Sequence, residues 1–141
     1  MTTARQVDRE ILDAQWQELL AAASAARERA YAPYSRFSVG AAVRAASGEI
    51  YTGANVENAS SGMTVCAERV AVWNAVSHGE RSLAALALVT ETGATPCGAC
   101  RQVLVEFEAD LPILVADTAG HTWFTSLAAL LPDAFPRVNY R

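Results

Sequence analysis

The amino-acid sequence predicts an α/β fold in three layers (α/β/α), with a central mixed sheet of about five strands covered by helices on both faces. The first observation behind this prediction is the order of elements, a helix and a β-hairpin followed by alternating helices and strands. The second is the run Leu83–Val89, which is apolar without alternation and typical of a strand buried on both faces. With 141 residues and a hydrophobic content of 52%, residues 1–141 are expected to form a single domain.

The N-terminal part is predicted to form a long helix and then a hairpin. Helix Asp8–Arg29 is indicated by apolar residues at helical spacing, and Pro33 follows it as a breaker. These apolar residues are Leu12, Trp16, Leu19, Leu20 and Ala23. Phe37–Val43 alternates as a strand does, Ser47-Gly48 makes a turn, and Ile50–Val56 returns as the second strand.

The C-terminal part is predicted to alternate between helices and short strands. Val70 and Trp73 stand at core spacing in the first helix, and Ser126 is placed to cap the last one. In chain order, the predicted elements are helix Val65–His78, strand Leu83–Val89, helix Cys97–Phe107, strand Pro112–Ala116, strand Thr122–Thr125 and helix Leu127–Leu131.

Composition and charge narrow the possible classes of function. The net charge of −4 and the pI near 5.1 argue against a nucleic-acid partner, because surfaces that bind nucleic acid are basic. Met1–Glu10 lacks the apolar segment of a signal peptide, and no apolar run is long enough to cross a bilayer. We therefore expect a cytoplasmic protein without a membrane partner. In that compartment, three cysteines favour metal binding or catalysis over disulfides.

These three cysteines and one carboxylate predict a catalytic zinc centre. Cys66 stands two residues before Glu68, and Cys97 stands three residues before Cys100. Three thiolates can hold one Zn²⁺ per chain and leave its fourth position open, where water becomes a nucleophile near neutral pH. Glu68 is then placed to handle the protons of that water.

The spacing of the four residues also constrains the local structure. Cys97 and Cys100 would lie side by side in the first turn of a helix, where free backbone N–H groups favour thiolates. Cys66 and Glu68 reach one centre only if the chain begins its helix at Cys66, because residues two apart do not share a helix face. Two arginines next to the cysteines are candidates to donate hydrogen bonds to the sulfurs and offset their charge. They are Arg69 and Arg101.

Two other uses of the cysteines are open. A Cys-x-x-Cys pair is common in redox sites, but a redox pair would leave Cys66 and Glu68 without a role. A structural zinc needs four ligands, and His78 or His121 would have to supply the fourth from a position outside any motif. His78 is expected instead in the last turn of a helix and His121 in a surface turn. The ligand count and the motif context favour the catalytic zinc.

Several longer stretches resemble one enzyme family. The pattern C-x-E…P-C-x-x-C is the three-cysteine variant of the signature of zinc nucleobase deaminases. The stretches that extend the resemblance are Phe37–Ala42, Asn55–Ala59, Cys66–Arg69, Pro96–Val103 and Leu130–Phe135. Over about Tyr31 to Pro136, the chain resembles the small, homotetrameric, zinc-dependent class of cytidine deaminases.

The resemblance implies a cytidine deaminase-like fold, an activity and a set of site residues. The implied activity is hydrolytic deamination of cytidine, and of deoxycytidine, to uridine or deoxyuridine with release of ammonia. The resemblance implies that Cys66, Cys97 and Cys100 bind zinc and that Glu68 transfers protons. It implies that Asn55 and Glu57 bind the ribose 3′-hydroxyl. It also implies that Phe37 contacts the pyrimidine ring, that the backbone of Ala67 recognises the base edge, and that Phe135 makes a contact from a neighbouring subunit. A homotetramer is implied as well, because the site in this family is completed across subunits.

Some of these roles have a counterpart in the residues themselves. Asn55 and Glu57 lie two apart at the end of a predicted strand, so their side chains share a face. A carboxylate and an amide suit the diol of a sugar, and polar residues are also ordinary in a turn after a strand. Phe37 alone is compatible with packing in the core. The carbonyl of Thr95, held extended by Pro96, is a candidate to accept a hydrogen bond from the leaving amine.

One position departs from the family pattern. Two residues after Ala59 the family commonly has a tyrosine whose ring reaches a neighbouring site, and this chain has Ser61 there. Ala59 and Ser61 are therefore candidates for contacts across subunits, and the contacts near the 5′ side of the sugar differ. Deamination of blasticidin S or another cytosine-nucleoside analogue is the alternative reaction. A further alternative is an enzyme that deaminates a base within nucleic acid. Another is a binding protein that zinc stabilises and that has no catalytic activity.

Overall fold

Alternating helices and strands build a six-stranded sheet in residues 4–135, the part of the chain that the computed structural model describes. The strands are β1 (Arg5–Val7), β2 (Gly40–Ala45), β3 (Ile50–Ala54), β4 (Leu83–Val89), β5 (Pro112–Ala116) and β6 (Thr122–Ser126). The helices are α1 (Ala14–Arg27), α2 (Ala67–Ser77), α3 (Gly98–Val105) and α4 (Leu127–Leu130), with 3₁₀ turns at Arg9–Ile11 and Ser61–Met63.

The sheet is mixed, as predicted. Its strand order is β1-β6-β5-β4-β2-β3, with β4 and β5 parallel and the other described pairs antiparallel. The predicted hairpin is β2–β3, and Gly48 adopts a φ of 95° in its turn. Strand β4 lies inside the sheet, and its apolar residues contribute to the cores on both faces.

Helices cover both faces of the sheet, which confirms the three-layered prediction. On one face, α1 packs Leu19, Leu20 and Ala23 against β2, β4 and β5. On the other face, α2 and α3 pack against the sheet with Val72 and Leu104 in the core. None of the helices between residues 4 and 135 is long and apolar enough to span a membrane.

The N-terminal prediction was wrong about where the first helix begins. The helix expected from Asp8 starts at Ala14, because the side chain of Asp13 accepts a hydrogen bond from the backbone N–H of Trp16 at 2.9 Å and caps it there. Before it, residues 5–7 pair with β6 as an edge strand, which gives the sheet six strands instead of about five. A strand of three residues carries too little alternation to be predicted.

The face of α2 was also predicted incorrectly at one residue. Trp73 is 49% exposed, whereas small side chains fill the buried stripe of this helix. The stripe includes Ala67, Ala71 and Ala75, which are fully buried. Small residues let the helix approach the sheet closely, and the large indole is left on the outer face.

Glycines permit the closest contacts between the helices and the sheet. A Cβ on Gly53 of β3 would lie 2.5 Å from the carbonyl oxygen of Ala67 and 2.4 Å from the backbone nitrogen of Ala71. A Cβ on Gly40 of β2 would lie 2.1 Å from the carbonyl oxygen of Ala23 in α1. The missing side chain at Gly53 therefore sets the depth of α2, the helix that carries Glu68.

Candidate active site

The three cysteines converge at the starts of two helices. Cys66 is the N-cap of α2 with an extended backbone (φ −75°, ψ 152°), and Cys97 is the N-cap of α3. Cys100 lies buried in the first turn of α3. The Sγ of Cys97 is 3.5 Å from that of Cys100 and 3.9 Å from that of Cys66. The chain thus begins α2 at Cys66, as the spacing to Glu68 required.

This donor set fits one zinc ion. A tetrahedral Zn²⁺ with Zn–S bonds of about 2.3 Å separates its sulfurs by about 3.8 Å, and the three sulfurs here lie within 4.8 Å of one another. Within residues 4–135, no histidine or carboxylate joins this group of ligand atoms. Nδ1 of His78 is hydrogen-bonded to the carbonyl oxygen of Asn74, and Nδ1 of His121 is hydrogen-bonded to Oδ2 of Asp117. A closed structural site with a histidine ligand is therefore not supported.

Hydrogen bonds decide where the protons lie among the thiols. A hydrogen bond from Cys100, together with weaker ones from Arg69 and Cys97, lowers the pKa of Cys66 to about 5 against the opposing effect of burial. The bond to Cys66 and burial raise the pKa of Cys100 well above its usual range. Of these two thiols, Cys66 is therefore the one that loses its proton more readily. Binding of zinc has to displace the protons that remain.

Glu68 lies beside the sulfurs in the first turn of α2 and is only 4% exposed. Burial raises the pKa of this carboxyl to about 7, and the negative charge of Cys66 adds to the effect. A carboxyl that titrates near neutral pH can both take up and release a proton during a reaction. Its position on the wall of a cleft makes it the candidate for proton transfer.

The two arginines next to the cysteines make different contacts. Nη2 of Arg69 donates to the Sγ of Cys66 at 3.4 Å, as expected. The side chain of Arg101 is directed elsewhere, because its described partners are three oxygens and not sulfur. They are the carbonyl oxygens of Pro96 and Leu130, each at 2.7 Å, and Oγ1 of Thr95 at 3.2 Å. Arg101 therefore fastens the segment before Cys97 to the end of α4.

A cleft of about 340 Å³ opens beside Glu68 and the thiols of Cys66 and Cys97. Its volume falls within the range of small-molecule sites. Most of its lining is apolar, and its polar side chains include Asn55, Glu57 and Glu68. The lining residues are Ser35, Phe37, Val39, Asn55, Glu57, Thr64, Val65, Cys66, Glu68, Leu88, Thr90, Ala94, Thr95 and Cys97. The structure thus brings Phe37, Asn55, Glu57 and Thr95 to the same cleft as the cysteines.

Asn55 and Glu57 enter the cleft where β3 ends. The side-chain amide of Asn55 is buried, with Nδ2 donating to the carbonyl oxygen of Phe37 and Oδ1 accepting from the N–H of Val39, each at 2.8 Å. Glu57 accepts hydrogen bonds from the backbone of Tyr34 and Ser35. The hydroxyl bond of Ser35 lowers the pKa of Glu57 further, so this residue is a carboxylate at neutral pH.

The remaining predicted site residues lie around the cleft or outside it. Ala67 is fully buried and follows Cys66 at the start of α2. Ala59, Ser61 and Phe135 are exposed, and none of the three lines the cleft as the described residues form it. Phe135 is 75% exposed. It could therefore contact a substrate only in a site other than the cleft of its own chain.

Several residues of the cleft carried no functional prediction. Ser35 and Thr90 belong to none of the motifs from which site residues were predicted. Thr90 is 2% exposed, and its Oγ1 accepts hydrogen bonds from the N–H groups of Gly93 and Ala94 at 2.8 and 2.9 Å. These bonds shape the loop that leads from β4 to Cys97. A polar residue directly after a buried strand was the available signal.

Comparison with known proteins agrees with this geometry. The family described as "Cytidine and deoxycytidylate deaminase zinc-binding region" matches residues 13–115. A cytidine deaminase of Sporosarcina psychrophila is 49% identical over 124 residues, covering 86% of this chain and 91% of the relative. One from Mycobacterium tuberculosis H37Rv is 43% identical over 125 residues, covering 87% and 91%.

Solved structures of such enzymes share the fold. The crystal structure of cytidine deaminase from Burkholderia pseudomallei has a TM-score of 0.81 and 48% identity, covering 84% of this chain and 98% of that one. The structure from M. tuberculosis has a TM-score of 0.75 and 44% identity, covering 89% and 100%. This chain therefore belongs to the cytidine and deoxycytidylate deaminase family.

Proposed function

We propose that this chain is an enzyme that hydrolyses cytidine, and also deoxycytidine, to uridine or deoxyuridine and ammonia, with one zinc ion per chain. The observation that carries the proposal is the convergence of three thiols and a buried carboxyl on one cleft. The identity of 49% to a cytidine deaminase over 86% of the chain supports the substrate class. These comparisons do not favour the analogue-specific enzyme, the nucleic-acid deaminase or the binding protein without catalysis.

Glu68 carries out the proton transfers of the proposed reaction. When bound by Cys66, Cys97 and Cys100, zinc supplies a Lewis acid that makes water a nucleophile near neutral pH. The carboxylate of Glu68 accepts the proton of the attacking water and passes it to N3 of the cytosine ring while the oxygen bonds to C4. Glu68 then moves the hydroxyl proton to the exocyclic amine, which leaves as ammonia, and C4 becomes a carbonyl. Burial of Glu68 keeps its proton affinity high enough for both transfers.

The other residues of the cleft bind and orient the substrate. We assign the pyrimidine ring to Phe37, the base edge to the backbone of Ala67, and the leaving amine to the carbonyl of Thr95. The ribose 3′-hydroxyl is assigned to Asn55 and Glu57, which line the same cleft. Both natural sugars carry that hydroxyl, which is why cytidine and deoxycytidine are both expected as substrates.

Ammonia release with four candidate compounds tests the proposal. Purified zinc-loaded chain is incubated with cytidine, deoxycytidine, cytosine and blasticidin S, with Glu68→Gln as the matched variant. We expect turnover of the two nucleosides, and a loss of at least about 10²-fold in kcat with unchanged zinc content in the variant. Turnover of blasticidin S alone, or full activity of Glu68→Gln, would contradict the proposal.

We also propose that the chain assembles as a homotetramer whose subunits share their sites. Large apolar side chains on the surface of the single chain support this, since Phe135, Met63 and Trp73 are 75%, 69% and 49% exposed. In such an assembly, Ala59 and Ser61 would lie at a subunit boundary. Light scattering coupled to size-exclusion chromatography is expected to give four chains per particle, and a monomer at micromolar concentration would contradict the assembly.

Two simpler proposals concern the whole chain. Residues 1–141 are proposed to form a single domain, for which limited proteolysis is expected to find no internal cleavage before unfolding. A cytoplasmic location is proposed because the three cysteines are free thiols, which a reducing compartment preserves. Fractionation of cells that produce the chain, with activity measured in each fraction, tests the location.

A further inference from the structure

Backbone strain marks one turn beside the cleft. Arg36 has a φ of 61°, in the left-handed region that residues other than glycine rarely adopt. Its neighbours Ser35 and Phe37 both line the cleft. Strained backbone persists where surrounding groups fix it, and it concentrates at functional sites. The turn at Arg36 must therefore be held in place by contacts with neighbouring groups.

The carboxylate of Glu57 fixes one side of the turn. Its Oε1 accepts hydrogen bonds from the N–H groups of Tyr34 and Ser35 at 2.9 and 3.1 Å, and its Oε2 accepts one from the hydroxyl of Ser35. The same hydroxyl oxygen accepts the N–H of Phe37 at 3.0 Å. One hydroxyl thus links the carboxylate of Glu57 to the backbone of Phe37, across the strained Arg36.

The rest of the segment is fastened to the same strand end. The side chain of Asn55 binds the carbonyl of Phe37 and the N–H of Val39. The backbone N–H of Tyr31 donates to the carbonyl oxygen of Asn55 at 2.9 Å, and the carbonyl oxygen of Tyr31 accepts from the N–H of Glu57 at 2.8 Å. Residues 31–39 and 55–57 therefore form one hydrogen-bonded unit along the cleft.

The bonds to Glu57 leave limited room for a ligand. A carboxylate offers roughly four acceptor sites, and the three bonds from Tyr34 and Ser35 use most of them. Oε1 already accepts two N–H groups, so the remaining site is on Oε2. Oε2 is the oxygen that accepts the hydroxyl of Ser35. This hydrogen bond therefore fixes the direction in which the free lone pair of Oε2 can accept a ligand.

We propose that Ser35 is a positioning residue for substrate binding. Its hydroxyl orients the carboxylate of Glu57 so that Oε2 can accept the 3′-hydroxyl of the nucleoside. It also couples that orientation to the backbone of Phe37, next to the base. This inference rests on the proposed function and adds to it a residue that does not itself contact the substrate.

The chain contains a matched control for this contact. In the β2–β3 turn, the hydroxyl of Ser47 donates to Oε2 of Glu80 at 2.7 Å and accepts the N–H of Glu49 at 3.3 Å. The same pair of bonds is therefore made between a serine, a glutamate and the backbone two residues later. Ser47 and Glu80 do not line the cleft, so they test the loss of such a pair away from the substrate.

The experiment compares two substrates that differ by one hydroxyl. Steady-state kcat and KM are measured with cytidine and 3′-deoxycytidine for the wild-type chain, Ser35→Ala, Ser35→Thr and Ser47→Ala. For Ser35→Ala we expect kcat/KM with cytidine to fall about tenfold, mainly through KM, and with 3′-deoxycytidine less than about twofold. Ser35→Thr, which keeps a hydroxyl, and Ser47→Ala are expected to behave as the wild-type chain with both substrates. Melting temperature and zinc content establish that each variant is folded.

Three outcomes overturn the inference. Equal losses of Ser35→Ala with both substrates would show a purely structural role, and no loss with either would show no role. In both cases the wild-type chain would still deaminate cytidine and prefer it over 3′-deoxycytidine, so the proposed function would stand. A wild-type chain that deaminates cytidine but ignores the 3′-hydroxyl would remove the sugar contact, and the role of Ser35 with it.

Discussion

Arg69 is the positively charged residue that contacts a thiol of the predicted zinc site. Its guanidinium donates to the Sγ of Cys66 at 3.4 Å and contributes, after the bond from Cys100, to the low pKa of that thiol. The thiolate is the form that binds zinc, so the low pKa of Cys66 means that zinc has no proton to displace from this residue at neutral pH. Arg69 thereby favours a loaded site under acidic conditions.

Replacing Arg69 should make zinc affinity depend more strongly on pH. In Arg69→Ala the pKa of Cys66 rises from about 5, so at pH 6 a proton competes with the metal, and at pH 8 it competes less. We expect a loss of affinity of about tenfold at pH 6 relative to the wild-type chain and a smaller loss at pH 8. Competition with a chelating dye at both pH values measures it.

Arg101→Ala is the control for this prediction. It also removes an arginine next to a ligand cysteine, but one whose described partners are oxygens. Its zinc affinity should keep the pH dependence of the wild-type chain. If Arg69→Ala loses the same factor at both pH values, the guanidinium does not act through protonation of Cys66.

The residues that could be predicted are those whose geometry is local. The spacing of Cys97 and Cys100 places both sulfurs in one helical turn, and the spacing of Cys66 and Glu68 indicated that the chain enters α2 at Cys66. The contacts of Ser35 could not be predicted in this way. Its partner Glu57 is 22 residues away, and only the packing of two segments brings them together.

Helix α2 depends on Gly53 for its position against the sheet. Alanine at this site would place a Cβ 2.4 to 2.9 Å from backbone atoms of α2. Backbone cannot rotate away as a flexible side chain can, so the helix has to move. Cys66 and Glu68 begin this helix, and a displacement would carry them with it.

We expect Gly53→Ala to lower the free energy of unfolding by about 2 kcal/mol, in the range of overpacked core variants. Chemical denaturation of the zinc-loaded chain measures the loss, and kcat should fall as well. Gly62→Ala is the control, because a Cβ there meets nothing within 4 Å. Equal stability of the two variants would mean that α2 adapts without cost.

The elements were predictable to different degrees. Strands β4 and β5 were predicted residue for residue, because each is an apolar run between turn residues. The starts of α2 and α3 shifted by one or two residues, since cysteines occupy both N-caps and are not typical capping residues. Edge strand β1 was missed, because its pairing with β6 joins residues more than a hundred positions apart.

The sharing of sites between subunits can be tested by mixing two variants of low activity. Glu68→Gln lacks the proton carrier, and Phe135→Ala lacks an aromatic ring that is 75% exposed in the single chain. If Phe135 acts in a neighbouring site, a mixed assembly contains some sites with both residues intact.

We expect each variant alone to be weakly active and their mixture, unfolded and refolded together, to regain roughly a quarter of the wild-type activity per site. Ammonia release before and after mixing measures it, and two samples of the same variant mixed together serve as the control. A mixture no more active than the sum of its parts would place Phe135 outside the neighbouring site.

The layered architecture followed from the order of elements, whereas the oligomer did not. Alternating helices and apolar strands leave few arrangements other than helices on both faces of a sheet. The exposure of Trp73 was predicted incorrectly, because helical spacing alone does not distinguish a core face of a helix from an exposed one. The homotetramer came from family resemblance and remains a proposal.

The position of the thiols has a consequence for the order of events during biosynthesis. Cys66 precedes Cys97 by 31 residues, and the whole of β4 lies between them. We expect their sulfurs to meet only after β4 has paired within the sheet and α2 and α3 have packed on it. A nascent chain that has not reached that stage offers the metal no complete set of ligands, in contrast to small zinc fingers that fold around the ion. We therefore expect zinc to be bound with full affinity only once the polypeptide has folded.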